Sequence, residues 1–278
     1  MSDETILVTG GTGKTGRRVV RLLQERGVPV RAASRSGATR FDWTDRATWE
    51  PALRGVAAVY LVAPDLGGPQ AAEAIAAFTR QAAAAGARRA VLVSVPETGG
   101  LDDEHVLAAE RALGEAGLDW TVLRLRWFFQ NFSEDFLRDP VLSGEVRVPA
   151  GDGKEGFIDA EDIAEVAVAA LTEDGHAGRH YELTGPRLMT FADTVAEIAR
   201  ATGRDIRYVP LTTEAYADEQ RAQGVPEEWV RVLAGPYEQV RSGRLARLTD
   251  DVRQVLGRAP RDFSDYAHSA AAQGAWAT

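Results

Sequence analysis

Thr9-Gly10-Gly11-Thr12-Gly13-Lys14-Thr15-Gly16 follows directly on the apolar run Ile6-Leu7-Val8 near the start of the chain. The run reads as a buried strand, and residues 17–26 continue as a helix with Val19, Val20, Leu22 and Leu23 on its apolar side. In this strand–turn–helix setting Gly11-x-Gly13-x-x-Gly16 has a physical meaning. Glycines let the backbone turn tightly and approach a pyrophosphate, whose charge the helix N-terminus then stabilises. Gly10, Thr12, Gly13, Lys14, Thr15 and Gly16 are therefore candidate dinucleotide-binding residues. Gly13-Lys14-Thr15 looks like the end of a nucleoside-triphosphate P-loop, but that motif needs a glycine where Val8 stands, so the spacing rules it out.

The strand expected at 30–34 decides between the two nicotinamide dinucleotides. An NAD site places Asp or Glu at the end of this strand, where it takes the ribose hydroxyl. Between Gly27 and Phe41 there is no acid, and Arg31, Arg35 and Arg40 stand there instead. Arg35 directly follows Ser34, where a guanidinium can hold a 2'-phosphate in bidentate fashion. NADP is favoured as cofactor, with Ser34 and Arg35 as binding candidates. The chain is arginine-rich throughout: thirty of its 32 basic residues are Arg, and Lys14 and Lys154 are the two lysines.

Apolar strands at 5–9, 30–34, 40–43, 57–62, 90–94 and 120–125 alternate with helical stretches, notably 70–85 and 103–116, as an α/β doubly wound parallel sheet of the Rossmann type demands. A helix at 161–172 and a strand near 180–183 extend that pattern, with the strand closing the sheet. Beyond it, 190–202 reads as an amphipathic helix and 206–209 as a strand. The expected division is a dinucleotide-binding domain of residues 1–126 and 156–183, and a smaller, mainly helical substrate lobe of 127–155 and 184–278 over the carboxyl ends of the strands.

Composition narrows the function classes. The 278 residues suffice for a full core, and the absence of cysteine removes thiolate chemistry and disulfides. No signal peptide or membrane-spanning run is expected, which points to a cytoplasmic protein acting on a small-molecule substrate, alone or as a homo-oligomer. A net charge of −9 argues against nucleic acid as a partner. Arg241, Arg244 and Arg247 form a basic cluster flanked by Glu238, Asp250 and Asp251, which reads as a solvated helix end. The four histidines lack ligand spacing with paired acids; His176 and His180 lie in a glycine-bracketed turn, so no metal site is expected. No Gly-x-Ser-x-Gly nucleophile elbow occurs.

The glycine loop, Phe41-Asp42-Trp43, Asp119-Trp120-Thr121-Val122-Leu123-Arg124, Trp127-Phe128-Phe129-Gln130-Asn131-Phe132, Gly151-Asp152-Gly153 and Phe157-Ile158-Asp159-Ala160-Glu161-Asp162-Ile163-Ala164 together resemble the NmrA-like atypical short-chain dehydrogenases. The resemblance is nearest to the branch with the ergot-alkaloid agroclavine and festuclavine dehydrogenases and their bacterial relatives, and it runs over nearly the whole chain. It implies an NADP-binding Rossmann fold in a group that spans NADPH reductases, quinone reductases and regulators without activity. Relatives usually carry Pro after the arginine of the sixth strand; Leu125-Arg126 stands here, which makes Arg126 a candidate to face the active cleft.

Standard short-chain dehydrogenases protonate the nascent alkoxide with a Tyr and a Lys four residues later. The six tyrosines, Tyr60, Tyr181, Tyr208, Tyr216, Tyr237 and Tyr266, are followed at that spacing by Pro64, Gly185, Thr212, Gln220, Arg241 and Ala270. An iminium ion, a quinone or a conjugated enone accepts hydride with less need of a proton, and an iminium yields a neutral amine that needs none. The expected activity is thus reduction of such an electrophile by NADPH, with proximity supplying most of the rate. The alternatives are a non-catalytic NADP-sensing regulator and an NADP-holding enzyme of non-redox specialised metabolism.

Individual residues carry two readings each. Ser94 stands where the related dehydrogenases put a polar group near the nicotinamide, or caps a turn at the strand end. His105 donates a proton through water, or is a solvated residue at a helix start. Trp127, Phe128 and Phe129 stack on a flat substrate or belong to the core, although three adjacent aromatics on one helix do not all face inward. Asp42 and Trp43 look like the adenine-side pair, with strand packing as the other reading for Trp43. Val62, Ala63 and Pro64, after the fourth strand, complete the cofactor-binding candidates. Asp159 and Asp162 are read as caps of the helix that follows them.

Overall fold

The computed structural model describes residues 5–63, 65–97 and 103–277. Along them run the strands β1 (Thr5–Thr9), β2 (Val30–Ser34), β3 (Thr39–Arg40), β4 (Val56–Leu61), β5 (Arg89–Ser94), β6 (Asp119–Leu125), β7 (Glu145–Val148), β8 (Arg179–Leu183) and β9 (Arg207–Pro210). Seven of these form one sheet in the order β3-β2-β1-β4-β5-β6-β8, every pair parallel. The fold is thus the α/β doubly wound, Rossmann type. Parallel pairing needs crossovers, and the helices Lys14–Glu25, Ala71–Ala84, Asp103–Gly114 and Ala160–Thr172 supply them. After β1 the chain winds outward through β2 and β3, then returns to the other side of β1 for β4, β5, β6 and β8. The order therefore reverses between β1 and β4, the switch point at which such sheets bind ligands outside the strand carboxyl ends.

The chain divides into two compact units. The first comprises Met1–Leu125, Ala160–Leu183 and Asp251–Arg258, and holds the seven-stranded sheet. Its core is continuous from Leu7, Val59, Leu61 and Leu92 in the strands to Ile75, Phe78 and Leu113 in the helices. The short helix Asp251–Leu256 belongs here, although the sequence pattern assigned everything after 183 to the other lobe. The cause is a set of polar ties: the Glu182 backbone N–H donates to Asp251 at 2.8 Å, and Arg258 donates to Asp162 and Glu165 at 2.7 and 2.6 Å. Asp162 is accordingly a buried partner of Arg258 within the first turn of Ala160–Thr172.

The second unit comprises Arg126–Asp159, Thr184–Asp250 and Ala259–Thr278. It contains a two-stranded parallel sheet, β7 with β9, in which Val146 faces Tyr208 in register. The strand expected at 206–209 is found one residue on, and its partner β7 has no counterpart in the sequence reading. An aromatic core of Phe129, Phe132, Phe157, Phe191, Tyr237 and Phe263 fills this unit. The helix Phe191–Thr202 begins with a reciprocal capping box between Thr190 and Asp193.

The expected strand at 40–43 is shorter than its sequence pattern. The Phe41 N–H still reaches Ser34 O at 3.0 Å, but the Asp42 N–H turns to the Thr48 hydroxyl at 3.0 Å, which takes it out of the ladder.

Candidate active site

The first unit builds a tight cradle from its glycines. Gly10 has φ +61°, a left-handed conformation that favours glycine. A Cβ on Gly16 would stand 2.2 Å from the Gly10 carbonyl oxygen, and one on Gly11 would stand 3.0 Å from Ala32 Cα. The helix Lys14–Glu25 therefore packs against the loop at a distance only glycine permits. Gly13 is its N-cap and offers no side-chain cap, and no acid lies in the first turn. The positive end of the helix is thus left for an anion. Behind the loop, Thr9 Oγ donates to Tyr60 O at 3.1 Å and accepts the Val62 N–H at 2.9 Å, which extends the β1–β4 seam to Val62. Gly10 packs on Val62, where an added Cβ would meet Val62 Cβ at 3.3 Å.

At the end of β2 the three arginines separate. Arg31 donates to the carbonyls of Ala52 and Arg54 at 2.6 and 2.8 Å, and Arg40 pairs with Asp45 at 3.3 Å. Arg35 is exposed and makes no hydrogen bond or ion pair among the described residues. Next to it, the Ser34 hydroxyl is shielded from solvent and has no hydrogen-bond partner among the described residues. An orphaned hydroxyl beside an unpaired guanidinium fits an anionic group, and the 2'-phosphate of NADP has that chemistry.

Trp43 and Asp42 sit beside this end of the sheet. The Trp43 indole N–H donates to Val62 O at 2.8 Å, and its ring meets Phe41, Trp49 and Phe78 in edge-to-face or tilted contacts. The partly exposed face of Trp43 is thereby held rigid. The Asp42 carboxylate accepts from the Thr44 N–H and hydroxyl at 2.9 and 2.8 Å, and these bonds hold its pKa below the ordinary value, with Arg35 and Arg40 adding to the effect. Ala63 follows Val62 partly exposed, and Pro64 lies outside the described residues.

On the other half of the sheet, Ser94 is 1% exposed and donates its hydroxyl proton to Glu110 Oε1 at 2.6 Å. A side chain so enclosed, with its proton committed, is a structural link and not a proton donor to a ligand. Arg124 grips the same carboxylate with Nε at 3.0 Å and Nη2 at 2.6 Å. Sequence reasoning missed this arrangement; its signal was a charge inside each of two apolar patterns, Glu110 in a helix and Arg124 in β6. His105 is partly exposed on the helix Asp103–Gly114 and bonds to nothing among the described residues. His180 stands in β8 with its Nε2 3.5 Å from Glu110 Oε2, and burial, opposed by Glu110, lowers its pKa.

In the second unit Arg126 is 4% exposed, and its Nε meets Glu155 Oε1 at 2.6 Å, both side chains being fully enclosed. It also donates to Leu245 O. The arginine expected to face a cleft is therefore an internal ion pair, and the buried carboxylate is what draws it inward. Phe129, at 1% exposure, lies in the aromatic core against Phe263 and Tyr266. Trp127 and Phe128 are partly exposed, and Trp127 packs on Phe136, Phe157, Phe191 and Tyr237. Asp159 accepts from Gln130 Nε2 at 2.8 Å.

No helix among the described residues is long and apolar enough to cross a membrane. Residues 10–174 match the model of a family described as NAD(P)H-binding. An uncharacterized oxidoreductase of Bacillus subtilis, YesF, is 36% identical over 98% of this chain and 97% of its own length. Agroclavine dehydrogenase of Claviceps fusiformis is 33% identical over 94% of this chain and 96% of its own. Among solved structures, the NADPH complex of the quinone oxidoreductase QOR2 of Escherichia coli superposes with a TM-score of 0.79 at 25% identity, covering 95% of this chain and 99% of that one. The glycine cradle and the switch-point sheet agree with these likenesses: the chain belongs to the NAD(P)H-binding family and is an oxidoreductase like these relatives.

Proposed function

We propose that the protein is an NADPH-dependent reductase that delivers hydride to an electrophilic small molecule, an iminium ion, a quinone or an enone. The observation that carries the choice of NADP is the end of β2, where, among the described residues, the Ser34 hydroxyl lacks a partner and Arg35 lacks an ion pair, and where the stretch from Gly27 to Phe41 holds no acid for a ribose hydroxyl. Ser34 and Arg35 hold the 2'-phosphate, and Gly10, Thr12, Gly13, Lys14, Thr15 and Gly16 line the pyrophosphate. Asp42 and Trp43 flank the adenosine, with Val62 and Ala63 closing the crevice beside the loop. When bound, NADPH supplies the hydride from its dihydronicotinamide.

The electrophile must suit a chain without the usual proton donor. No tyrosine has a lysine four residues on. Tyr60, in β4, is enclosed, and burial raises its pKa. An electrophile that needs little or no protonation removes that requirement. The partly exposed rings of Trp127 and Phe128 suit a planar substrate by stacking. His105, partly exposed, is the candidate for water-mediated protonation. The relatives named as an agroclavine dehydrogenase and a quinone oxidoreductase support hydride transfer to such acceptors.

The test is a fluorescence titration with NADPH and NADH, followed by the decay of NADPH absorbance with quinones, enones and cyclic iminium salts. Preferred NADPH binding with turnover of one acceptor class is expected. Tight binding with no decay across the set would overturn the reductase reading, and equal affinity for the two cofactors would overturn the choice of NADP.

A further inference from the structure

Glu110 lies within the helix Asp103–Gly114, yet its carboxylate is almost wholly enclosed. Ser94 Oγ–H and Arg124 Nε donate to its Oε1 at 2.6 and 3.0 Å, and Arg124 Nη2 donates to its Oε2 at 2.6 Å. Such a two-pronged, charge-assisted grip fixes direction as well as distance. The same guanidinium reaches Glu97 Oε1 through Nη1 at 2.9 Å. Ser94 and Arg124 face each other in register across β5 and β6.

One carboxylate–guanidinium pair therefore holds residues 94–97 at both ends, Ser94 through Glu110 and Glu97 through Arg124. Between these anchors Pro96 is buried and Val95 is 47% exposed. An apolar side chain is thus presented at the carboxyl end of β5 by charges that an ordinary core would replace with hydrocarbon. A sheet of this strand order is built from two mononucleotide-binding halves, of which β1 to β3 form the first and β4 to β6 the second. The 2'-phosphate candidates Ser34 and Arg35 belong to the first half, so the nicotinamide belongs to the second.

We propose that the Glu110–Arg124 pair is a positioning device which holds residues 94–97 so that Val95 packs against the nicotinamide half of the cofactor. The inference rests on the NADPH reading above. Glu110 and Arg124 act through the segment they hold and are positioning residues.

The experiment compares two ligands, NADPH and adenosine 2',5'-bisphosphate, which shares the 2'-phosphate end and lacks the nicotinamide. Each is titrated into the wild type, Glu110→Gln, Arg124→Lys and Val95→Ala, with thermal melts alongside. Glu110→Gln keeps the size and loses the charge; Arg124→Lys keeps the charge and loses the fork that spans two carboxylates. All three variants are expected to bind NADPH roughly tenfold more weakly, the scale of one lost oriented contact, and the bisphosphate as the wild type does. Equal weakening of both ligands, or of neither, would overturn the proposal. If the charge variants fail to fold, Val95→Ala decides it, since Val95 is half exposed and outside the core. A wild type that binds neither ligand overturns the NADPH reading and this inference together. A wild type that binds both and reduces nothing overturns the reductase reading alone, and the two-ligand comparison still stands.

Discussion

At the scale of single residues, charge placement separates two arginines that look alike in sequence. Arg35 is exposed and makes no ion pair among the described residues, and Arg126 is enclosed against Glu155. The first stands out in the sequence because the lack of an acid between Gly27 and Phe41 is local. The second does not, because Glu155 is distant in sequence and burial appears only once the chain has folded. The assigned role of Arg35 gives a direct expectation. Arg35→Ala should weaken NADPH by about 1 to 3 kcal/mol, a lost charge-assisted contact, and leave NADH where it was. Parallel titrations of both cofactors check it, and an unchanged NADPH affinity would take Arg35 out of the site.

At the scale of elements, the sheet was readable and the second unit was less so. β1, β2 and β5 are apolar stretches of ordinary strand length between glycine or helical signals, and the structure places them within a residue of their sequence limits. β7 and β9, Glu-Val-Arg-Val and Arg-Tyr-Val-Pro, are four residues each and carry charge on one side. Their pairing depends on the aromatic core they cover. The helix Phe263–Ala272 in the same unit shows how a cap becomes a pH-sensitive tie. Asp262 caps it through the Ser264 N–H and also takes Arg187 at 2.8 and 2.9 Å, and the Arg187 bonds hold its carboxyl well below the ordinary 3.8. A carboxylate depressed in the folded state contributes stability that is complete above its unfolded value and is lost as pH falls through that value towards the folded one. Asp262→Asn keeps an oxygen that can cap the helix but loses the charge that Arg187 takes, so it should lower Tm near neutral pH, by about 1 kcal/mol of stability for a partly exposed ion pair. Its Tm should also fall less steeply than the wild type's between about pH 4 and pH 3. Melts across that range measure both, and parallel curves would dismiss the tie.

At the scale of the whole molecule, the doubly wound, parallel class of the sheet followed from the alternation of strands and helices, whereas its strand order and the polar ties of 251–258 within the first unit are not encoded in any periodicity. The near absence of lysine has its own consequence at this scale. With basic charge carried almost wholly by guanidinium groups, a reagent that acylates primary amines finds only Lys14 and Lys154 among the side chains. Lys14 opens the helix behind the glycine loop, and Lys154 is exposed in the second unit. The chain thus carries a built-in footprinting pair: in peptide mass maps, added NADPH should slow acylation at Lys14 and leave Lys154 as an internal reference. Equal protection of both, or of neither, would separate the loop from the cofactor.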